Sequence, residues 1–302
     1  RRVLFRSFDE YYKKHPTSRV KIYNGHLFIK GYVDQIKEFP CIGNLGYMCE
    51  LVEESDLNEN IIRNKKFLSA NRSMDKIQRV IMAYFAVKYD LLKDGNFTFI
   101  QPIEKNRLKE YIRKYYKDSI DNIETIIEKM VKIIPYELDT NALQNNEKMH
   151  FGSKNNKKDW YLNSYIHLVT ETFFGPNVFL SEKVFKPISN LQPFIVFGDY
   201  RTLAELKKLG FKTFSPFIDE SYDEEKNPNK RIELLEKEII KLNNMKIEDI
   251  HNWYYSIIDI LIFNKKHLMT FENYECFEPI LEKIKSDYKN KNLWNLQEKK
   301  LL

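Results

Sequence analysis

The clearest structural signal lies in residues 65–100, which read KKFLSANRSMDKIQRVIMAYFAVKYDLLKDGNFTFI. Residues 65–70 have the composition of a β-strand. Gly95 ends the helical pattern that follows, and residues 97–100 predict a second strand. Between the two strands, apolar side chains recur at spacings of three and four, as on one face of a helix: Ile77, Val80, Ile81, Tyr84, Val87 and Leu91. The segment therefore predicts a β-α-β unit, with two parallel strands joined by a helix.

Two further strands are predicted in the second half of the chain. Residues 165–169 (YIHLV) and 193–198 (PFIVFG) are short apolar runs of the kind that form buried strands. Ser181 is a favourable N-cap for a short helix between them, and that helix is expected to stop near Pro187. Strands that alternate with helices predict an α/β fold of Rossmann type, with a parallel sheet and helices on both faces.

The rest of the chain is predicted to be mostly helical. Two helices are expected between residues 104 and 134, and a polar surface loop rich in Asn and Lys at 137–158. Residues 202–209 predict another helix, and residues 211–214 one more short strand. From about residue 229 three amphipathic helices are expected, the last carrying Phe277, Ile280, Leu281, Ile284 and Tyr288.

Composition excludes several classes of protein. The chain has 302 residues, of which 43% are hydrophobic and 30% charged, as in a folded domain. No apolar run approaches the roughly 18 residues of a membrane span, so no integral membrane segment is predicted. The net charge of +6 is modest and its signs alternate along the chain, so a nucleic-acid partner is ranked well below a small anionic ligand.

No cofactor and no metal site are predicted. The chain lacks the glycine-rich phosphate loops G-x-x-x-x-G-K-[ST] and G-x-G-x-x-G and the G-x-S-x-G motif of hydrolases. Its three Cys form no C-x-x-C pair, its six His have no metal-ligand spacing, and no D-x-D triplet occurs. His167 is predicted to be a buried core histidine. Because no secretory leader is evident, a cytoplasmic location is predicted.

The first candidate site lies where the strand at 65–70 gives way to a helix. Asn71 and Arg72 follow this strand directly, and Arg79 lies on the helix. Ligands of open α/β sheets bind outside the carboxyl ends of the strands, where a guanidinium can hold a phosphate bidentately. The alternative is that Arg72 is a surface residue and Arg79 a solvated helix residue, and for these residues taken alone we favour it.

The second candidate site combines a strand end with the start of a helix. Glu171 follows the strand at 165–169, and Ser181, Glu182 and Lys183 open a helix ten residues later. A carboxylate here can accept hydrogen bonds from sugar or ribose hydroxyls, while helix N–H groups and the Lys183 ammonium could bind a diphosphate. The alternative is simple capping by Ser181 and Glu182 with a solvated Glu171, and the spacing favours neither interpretation.

The order of these motifs resembles the C-terminal, donor-binding domain of GT-B glycosyltransferases, and among them most of all the α1,3-fucosyltransferase family. That family has a strand ending in Phe-Glu-Asn, then Tyr-Val-Thr-Glu-Lys, then a Val-Pro-Val strand followed by Gly. The matching stretches here are residues 169–172 (VTET), 179–183 (FLSEK) and 192–198 (QPFIVFG). The resemblance covers about residues 66–215 and supports the nucleotide-sugar class better than it supports fucose.

The matching stretches depart from the family pattern at three positions. Phe179 stands where the family has Tyr, Ser181 where it has Thr, and Thr172 where it has Asn. The family also has an Asn and an Arg-bearing helix ahead of this region, where Asn71 falls with Arg72 or Arg79. The spacing does not decide which of the two arginines corresponds to the family's phosphate ligand.

The resemblance implies a nucleotide-diphospho-sugar donor, with a GDP-sugar as the first expectation. It also implies transfer with inversion at the anomeric carbon and without a required metal. Lys183 and either Arg72 or Arg79 would neutralise the diphosphate leaving group. Glu171 and Glu182 would bind sugar or ribose hydroxyls. The general base would belong to the N-terminal acceptor domain, where no residue can be named, and the acceptor is unknown.

Three regions are expected along the chain. Residues 1–59 are too few for a second complete domain and are interpreted as the remnant of an acceptor-side domain, which the missing initiator Met fits. Residues 60–270 are the expected donor-binding α/β domain, with a helical insertion at about 104–158, and residues 271–302 a helical tail. The alternative function is a non-catalytic nucleotide- or glycan-binding module with the same donor site.

Overall fold

The computed structural model of the chain describes residues 22–24, 36–38, 51–101, 103–136, 158–175, 178 and 180–272. The helix predicted around residues 277–288, and all but the last residue of the predicted loop at 137–158, lie outside these residues. Most of the expected N-terminal remnant lies outside them as well. Within the described part of the chain, no helix has the length and apolar character needed to cross a membrane.

A four-stranded parallel sheet lies at the centre of the fold. The described strands are β1 (Ile22–Asn24), β2 (Ile36–Glu38), β3 (Lys65–Asn71), β4 (Gly95–Phe99), β5 (Ser164–Thr170) and β6 (Phe194–Phe197). β1 and β2 pair in parallel with each other, and the other four form one parallel sheet in the order β4-β3-β5-β6. The predicted strands at 65–70, 165–169 and 193–198 are confirmed, and the strand predicted at 97–100 begins earlier, at Gly95.

Helices connect and cover the strands. The described α-helices are α1 (Ile77–Lys88), α2 (Lys105–Tyr115), α3 (Ile120–Ile133), α4 (Lys158–Leu162), α5 (Glu182–Ser189), α6 (Thr202–Lys208), α7 (Pro228–Asn244), α8 (Ile247–Ser256) and α9 (Ile258–Glu272). The two helices predicted between residues 104 and 134 are α2 and α3, and the helix predicted at 202–209 is α6. The fold is therefore α/β, with a parallel sheet flanked by helices.

The sheet is doubly wound. The chain passes from β3 to β4 in one direction along the sheet and from β5 to β6 in the opposite direction. Right-handed crossovers consequently place α1 and α5 on opposite faces of the sheet. The direction of winding reverses between β3 and β5, and the crevice at such a switch point is where open α/β sheets bind ligands.

The core keeps this switch point rigid. All seven residues of β5 are buried, because strands pair with both its edges and helices cover both its faces. α1 buries most of its length, including Val80, Tyr84 and Phe85. Burying an apolar side chain of this size contributes about 1.5–3 kcal/mol. The ends of β3 and β5 are therefore held at a defined distance from each other.

One predicted detail is wrong. Residues 211–214 do not form a strand, because the backbone N–H and C=O of Lys212 bond to the side chain of Asn264 at 2.8 Å instead of to a neighbouring strand. The helix predicted to stop near Pro187 is α5, which ends at Ser189. The helix ends where the side-chain amide of Asn190 donates to the Lys186 carbonyl at 2.9 Å.

Candidate functional site

Asn71 ties the strands together at the switch point. Its backbone N–H donates to Thr98 Oγ1 at 2.9 Å, and its side-chain amide donates to Ser69 Oγ at 3.1 Å. Its Oδ1 accepts from Thr170 Oγ1 at 2.5 Å, across the gap between β3 and β5. The residue is only 1% exposed. Asn71 thus shapes the floor of the crevice from inside the sheet.

Glu171, the first residue after β5, is 0% exposed. Its Oε1 accepts from the Ser181 backbone N–H at 3.0 Å, and its Oε2 accepts from Ser181 Oγ at 2.6 Å and from the Thr172 N–H at 2.8 Å. Burial raises the pKa of Glu171, against the opposing effects of the Lys183 ammonium and the hydrogen bonds from Ser181. The carboxylate organises the loop between β5 and α5 and is not the solvated strand end of the alternative interpretation.

Lys183 brings a positive charge to the start of α5. Its Nζ donates to Thr172 Oγ1 at 3.0 Å and to Ser181 Oγ at 3.2 Å. The predicted N-cap is confirmed, since Ser181 Oγ accepts from the Lys183 backbone N–H at 3.3 Å. A cation at a helix N-terminus is opposed by the helix dipole, and a bound anion would relieve that repulsion. Glu182 is the first residue of α5, and its side chain lies outside what the structure describes.

The two candidate arginines differ in their surroundings. Arg79 Nη1 donates to the Ser73 carbonyl at 3.0 Å and lies 3.9 Å from Asp75 Oδ1, so this side chain braces the turn between β3 and α1. Arg72 is exposed at the carboxyl edge, and its carbonyl accepts from the Gln101 N–H at 2.8 Å. Asn71, Glu171, Ser181 and Lys183 therefore converge at the crevice, with Arg72 on its rim and Arg79 behind the turn.

A buried arginine beneath this edge is not among the predicted residues. Arg231 of α7 is 1% exposed, and its Nη1 donates to the Gly198 carbonyl at 3.1 Å and lies 3.5 Å from the Gly175 carbonyl. The guanidinium carbon lies 4.6 Å from the ring centre of Phe174. Burial lowers the pKa of Arg231, while the nearby Asp199 carboxylate opposes that change. Arg231 joins the loops that follow β5 and β6.

The sequence does contain a signal for Arg231. The residue lies four positions before Leu235, on the stripe that continues through Ile239 and Leu242 and is buried in α7. An arginine on an apolar stripe can indicate a buried, hydrogen-bonded charge rather than a solvated one. The sequence does not reveal its acceptors, because the carbonyls of Gly175 and Gly198 come from distant loops.

Backbone contacts complete the support of the loop after β5. The Gly175 N–H donates to Asp199 Oδ1, and the side-chain amide of Gln78 in α1 donates to the Glu171 carbonyl. Gly198 permits the close approach of β6, since a Cβ there would lie 2.9 Å from Val196 Cγ1 and 3.4 Å from the Glu171 Cβ. This loop is held from the sheet, from α1 and from α7.

His167 is confirmed as a core histidine. It is buried in β5, and burial together with the nearby Lys186 ammonium lowers its pKa to about 3. The imidazole is therefore neutral near pH 7. Across the residues that the structure describes, no group of three or more His, Cys, Asp or Glu side chains could hold a metal ion.

The crevice and its flanking strands define a doubly wound α/β protein with the Lys183 side chain beside its carboxyl edge. No protein-family model matches the sequence, and no curated protein matches it. Solved structures of glycosyltransferases are similar to it at a low level.

One is an α,α-trehalose-phosphate synthase (UDP-forming) from Burkholderia vietnamiensis, with 13% identity, a TM-score of 0.35, and coverage of 94% of this chain and 60% of that one. A trehalose-6-phosphate synthase, OtsA, has 13% identity, a TM-score of 0.37 and coverage of 84% and 52%. A glycosyltransferase from Rickettsia africae ESF-5 has 12% identity, a TM-score of 0.35 and coverage of 90% and 67%. The chain thus spans a little over half the length of the two synthases. The fold assignment rests on the order and parallel pairing of the four central strands.

Proposed function

We propose that this chain carries the nucleotide-sugar-binding domain of a GT-B glycosyltransferase, which transfers a sugar from a nucleotide-diphospho-sugar to an acceptor. The observation that carries the proposal is the position of the Lys183 ammonium, 3.0 Å from Thr172 Oγ1 and 3.2 Å from Ser181 Oγ, beside the switch point of the sheet. A cation, a helix N-terminus and a sheet crevice that coincide form a site for a diphosphate.

The proposed binding roles follow from the surroundings of each residue. Lys183 and the first N–H groups of α5 contact the diphosphate, and Arg72 approaches it from the rim. Arg79 and Asn71 hold the strand end that carries Arg72. Because Glu171 accepts three hydrogen bonds within its own loop, its main proposed role is to position Ser181 and Lys183. Its second proposed role is to accept a hydrogen bond from a hydroxyl of the donor.

In the proposed reaction an acceptor oxygen attacks the anomeric carbon of the donor sugar. The bond from that carbon to the diphosphate oxygen breaks, and the leaving diphosphate gains negative charge that Lys183 and Arg72 stabilise. Direct displacement of this kind inverts the anomeric centre and takes its charge stabilisation from side chains rather than from a required metal. The acceptor proton passes to a general base on the acceptor side, to which we assign no residue.

The test is thermal unfolding of the full chain with GDP, UDP, CDP or ADP, each with and without Mg²⁺. A ligand at 100 times its Kd adds about 2.7 kcal/mol of stability, which raises Tm by several degrees. Stabilisation by one diphosphate without Mg²⁺ would support the proposal. GDP as that ligand would also support the resemblance to the α1,3-fucosyltransferases. If none of the four diphosphates stabilised the chain, the proposal would be wrong.

A non-catalytic nucleotide- or glycan-binding module is the second candidate. The observation that favours it is that the ionisable groups closest to the end of β5 are already engaged, since the Glu171 carboxylate is hydrogen-bonded within its loop and His167 is buried and neutral. A module of this kind would bind a diphosphate without turning over its sugar donor. Release of free nucleotide from the matching nucleotide-sugar, by hydrolysis or transfer, would show that the chain is an enzyme and not a binding module.

A further inference from the structure

A buried glutamine lies between the two halves of the candidate site, and the binding roles proposed for the diphosphate do not include it. Gln78 is the second residue of α1 and is 2% exposed. The other buried side chains of α1 are apolar or aromatic. Burying an amide is unfavourable unless it is hydrogen-bonded, so a glutamine at this position indicates a specific partner. That partner is the Glu171 carbonyl, to which Gln78 Nε2 donates.

Glu171 carries this contact into the loop between β5 and α5. Its backbone N–H donates to the Phe197 carbonyl of β6 at 2.9 Å, while its carbonyl accepts from Gln78. Its carboxylate accepts from the N–H and the hydroxyl of Ser181, whose Oγ in turn accepts from the Lys183 N–H. A continuous series of hydrogen bonds therefore runs from α1 through Glu171 and Ser181 to Lys183.

The first turn of α1 is also tied to the turn that carries Arg72. Lys76, the N-cap of this helix, makes no side-chain capping hydrogen bond. Arg79, the neighbour of Gln78, donates through Nη1 to the Ser73 carbonyl at 3.0 Å. Adjacent side chains at the start of α1 thus hold both halves of the candidate site, the Arg72 turn on one side and the loop after β5 on the other.

We propose that Gln78 is a positioning residue that couples these two halves, so that Lys183 and Arg72 act as one diphosphate site. The proposal rests on the proposed function, in which both cations contact the same diphosphate. Two cations bind one diphosphate tightly only when the distance between them suits the ligand, and any freedom in that distance must be lost on binding. Gln78 removes this freedom in advance, because it joins α1 on one face of the sheet to the loop that leads to α5 on the other.

The test compares two substitutions of buried glutamines in the full chain. Gln78→Leu removes the hydrogen bond to Glu171 and keeps a side chain of similar size. Gln192→Leu is the matched control, because Gln192 is 1% exposed and its amide donates to the Ser164 carbonyl at 2.9 Å. Ser164 is the first residue of β5, at the opposite edge of the sheet. Both variants lose buried hydrogen bonds to a backbone carbonyl, so both should lose stability, but only Gln78→Leu disturbs the proposed site.

Calorimetry with GDP and UDP measures the affinities. Gln78→Leu is expected to weaken the nucleotide that binds by about tenfold, whereas Gln192→Leu should bind it like the unmodified chain. If the two variants had equal affinities, the proposal would be overturned.

Gln78→Glu gives a second measurement. The introduced carboxyl can donate to the Glu171 carbonyl only while it is protonated, and burial favours that form. Relative to the unmodified chain at the same pH, the affinity of this variant for GDP or UDP should be low at pH 8 and recover at pH 5. A relative affinity that did not change with pH would count against a hydrogen bond from this position and would overturn the proposal.

Hydrogen exchange of the unliganded chain separates a failure of this proposal from a failure of the proposed function. The Ser181 N–H reports the loop after β5, and the Arg79 N–H, which donates to the Lys76 carbonyl at 3.1 Å, reports the first turn of α1. Gln78→Leu should speed exchange at both amides, and Gln192→Leu at neither. If no nucleotide bound the unmodified chain but both amides responded, the proposed function would be wrong and the coupling would stand. If either amide were unaffected by Gln78→Leu, the coupling would be overturned.

Discussion

The Glu171 carboxylate accepts two hydrogen bonds from Ser181, one from its backbone N–H at 3.0 Å and one from its hydroxyl at 2.6 Å. The two residues are ten positions apart, so this contact closes the whole loop between β5 and α5. Ser181 is at the same time the N-cap of α5. The position of the helix start, and with it that of Lys183, therefore depends on one buried carboxylate.

Glu171→Gln is expected to lower the free energy of unfolding by about 1–3 kcal/mol. The amide NH₂ would face the N–H or hydroxyl donors of Ser181 and leave a buried donor without an acceptor. Urea unfolding measures the loss, and hydrogen exchange at the Ser181 amide reports the loop directly. Glu110→Gln, on an exposed helix face, is the control. Unchanged exchange at Ser181 would show that the carboxylate does not hold the loop.

Lys183→Ala is expected to weaken binding of the stabilising nucleoside diphosphate by about tenfold or more, because a charge-assisted hydrogen bond to the phosphate is lost. Lys129→Ala removes the same charge from the exposed face of α3 and should leave the affinity unchanged. Isothermal titration of both variants makes the comparison. Equal affinities in the two variants would show that Lys183 does not bind the diphosphate.

Arg231→Met is expected to destabilise the fold by about 3 kcal/mol. The substitution leaves the Gly198 carbonyl without its buried donor and the Asp199 carboxylate without a nearby cation. Arg231→Lys should lose less, because an ammonium can still donate to one of the carbonyls. Urea unfolding of the two variants measures which of them loses more stability. A methionine variant as stable as the unmodified chain would mean that packing alone holds the two loops.

Asp223 gives the fold a pH dependence. It accepts from the N–H groups of Leu203 and Ala204 at 2.8 and 2.9 Å, and burial raises its pKa to about 6 despite these bonds. Between about pH 4 and pH 6, Asp223 is therefore largely protonated in the folded chain and largely ionised in the unfolded chain. Stability relative to Asp223→Asn should fall as the pH rises from about 4 to about 6, by on the order of 3 kcal/mol, and then level off.

Denaturant midpoints measured at intervals from pH 4 to 8 test this prediction. The difference between the unmodified chain and Asp223→Asn is the informative quantity, because it removes the contribution of other titrating groups. Asp249→Asn, at an exposed carboxylate of α8, is the matched control. A difference that rose with pH, or that did not change, would contradict the assignment of the raised pKa to Asp223.

The sheet could be predicted from the sequence because its signals are local. The strands at 65–70 and 165–169, and the helix between residues 77 and 91, are encoded by the periodicity of neighbouring side chains, and all three are present. The prediction at 211–214 failed because an apolar run does not reveal its partner. There the backbone of Lys212 pairs with the side chain of Asn264, from a helix more than fifty residues away.

Part of the candidate site could likewise be predicted from the sequence, and part could not. Motif order placed Asn71, Glu171, Ser181 and Lys183 at strand and helix ends, and the doubly wound sheet brings those ends together. Whether a side chain faces solvent or the interior depends on what packs over it, which no local pattern contains. Asn71 and Glu171 are buried, and they support the strand ends and the loop of the site through hydrogen bonds.

The amino-acid sequence by itself determined the α/β class, the strand and helix ends that carry polar residues, and the N-cap at Ser181, since each depends on residues within about one turn or one strand. Only the tertiary structure decided that Arg231 is buried beneath the edge and that Asp223 caps α6 from a distance. These features need groups from separate segments to meet, and burial then sets their hydrogen bonds and charges.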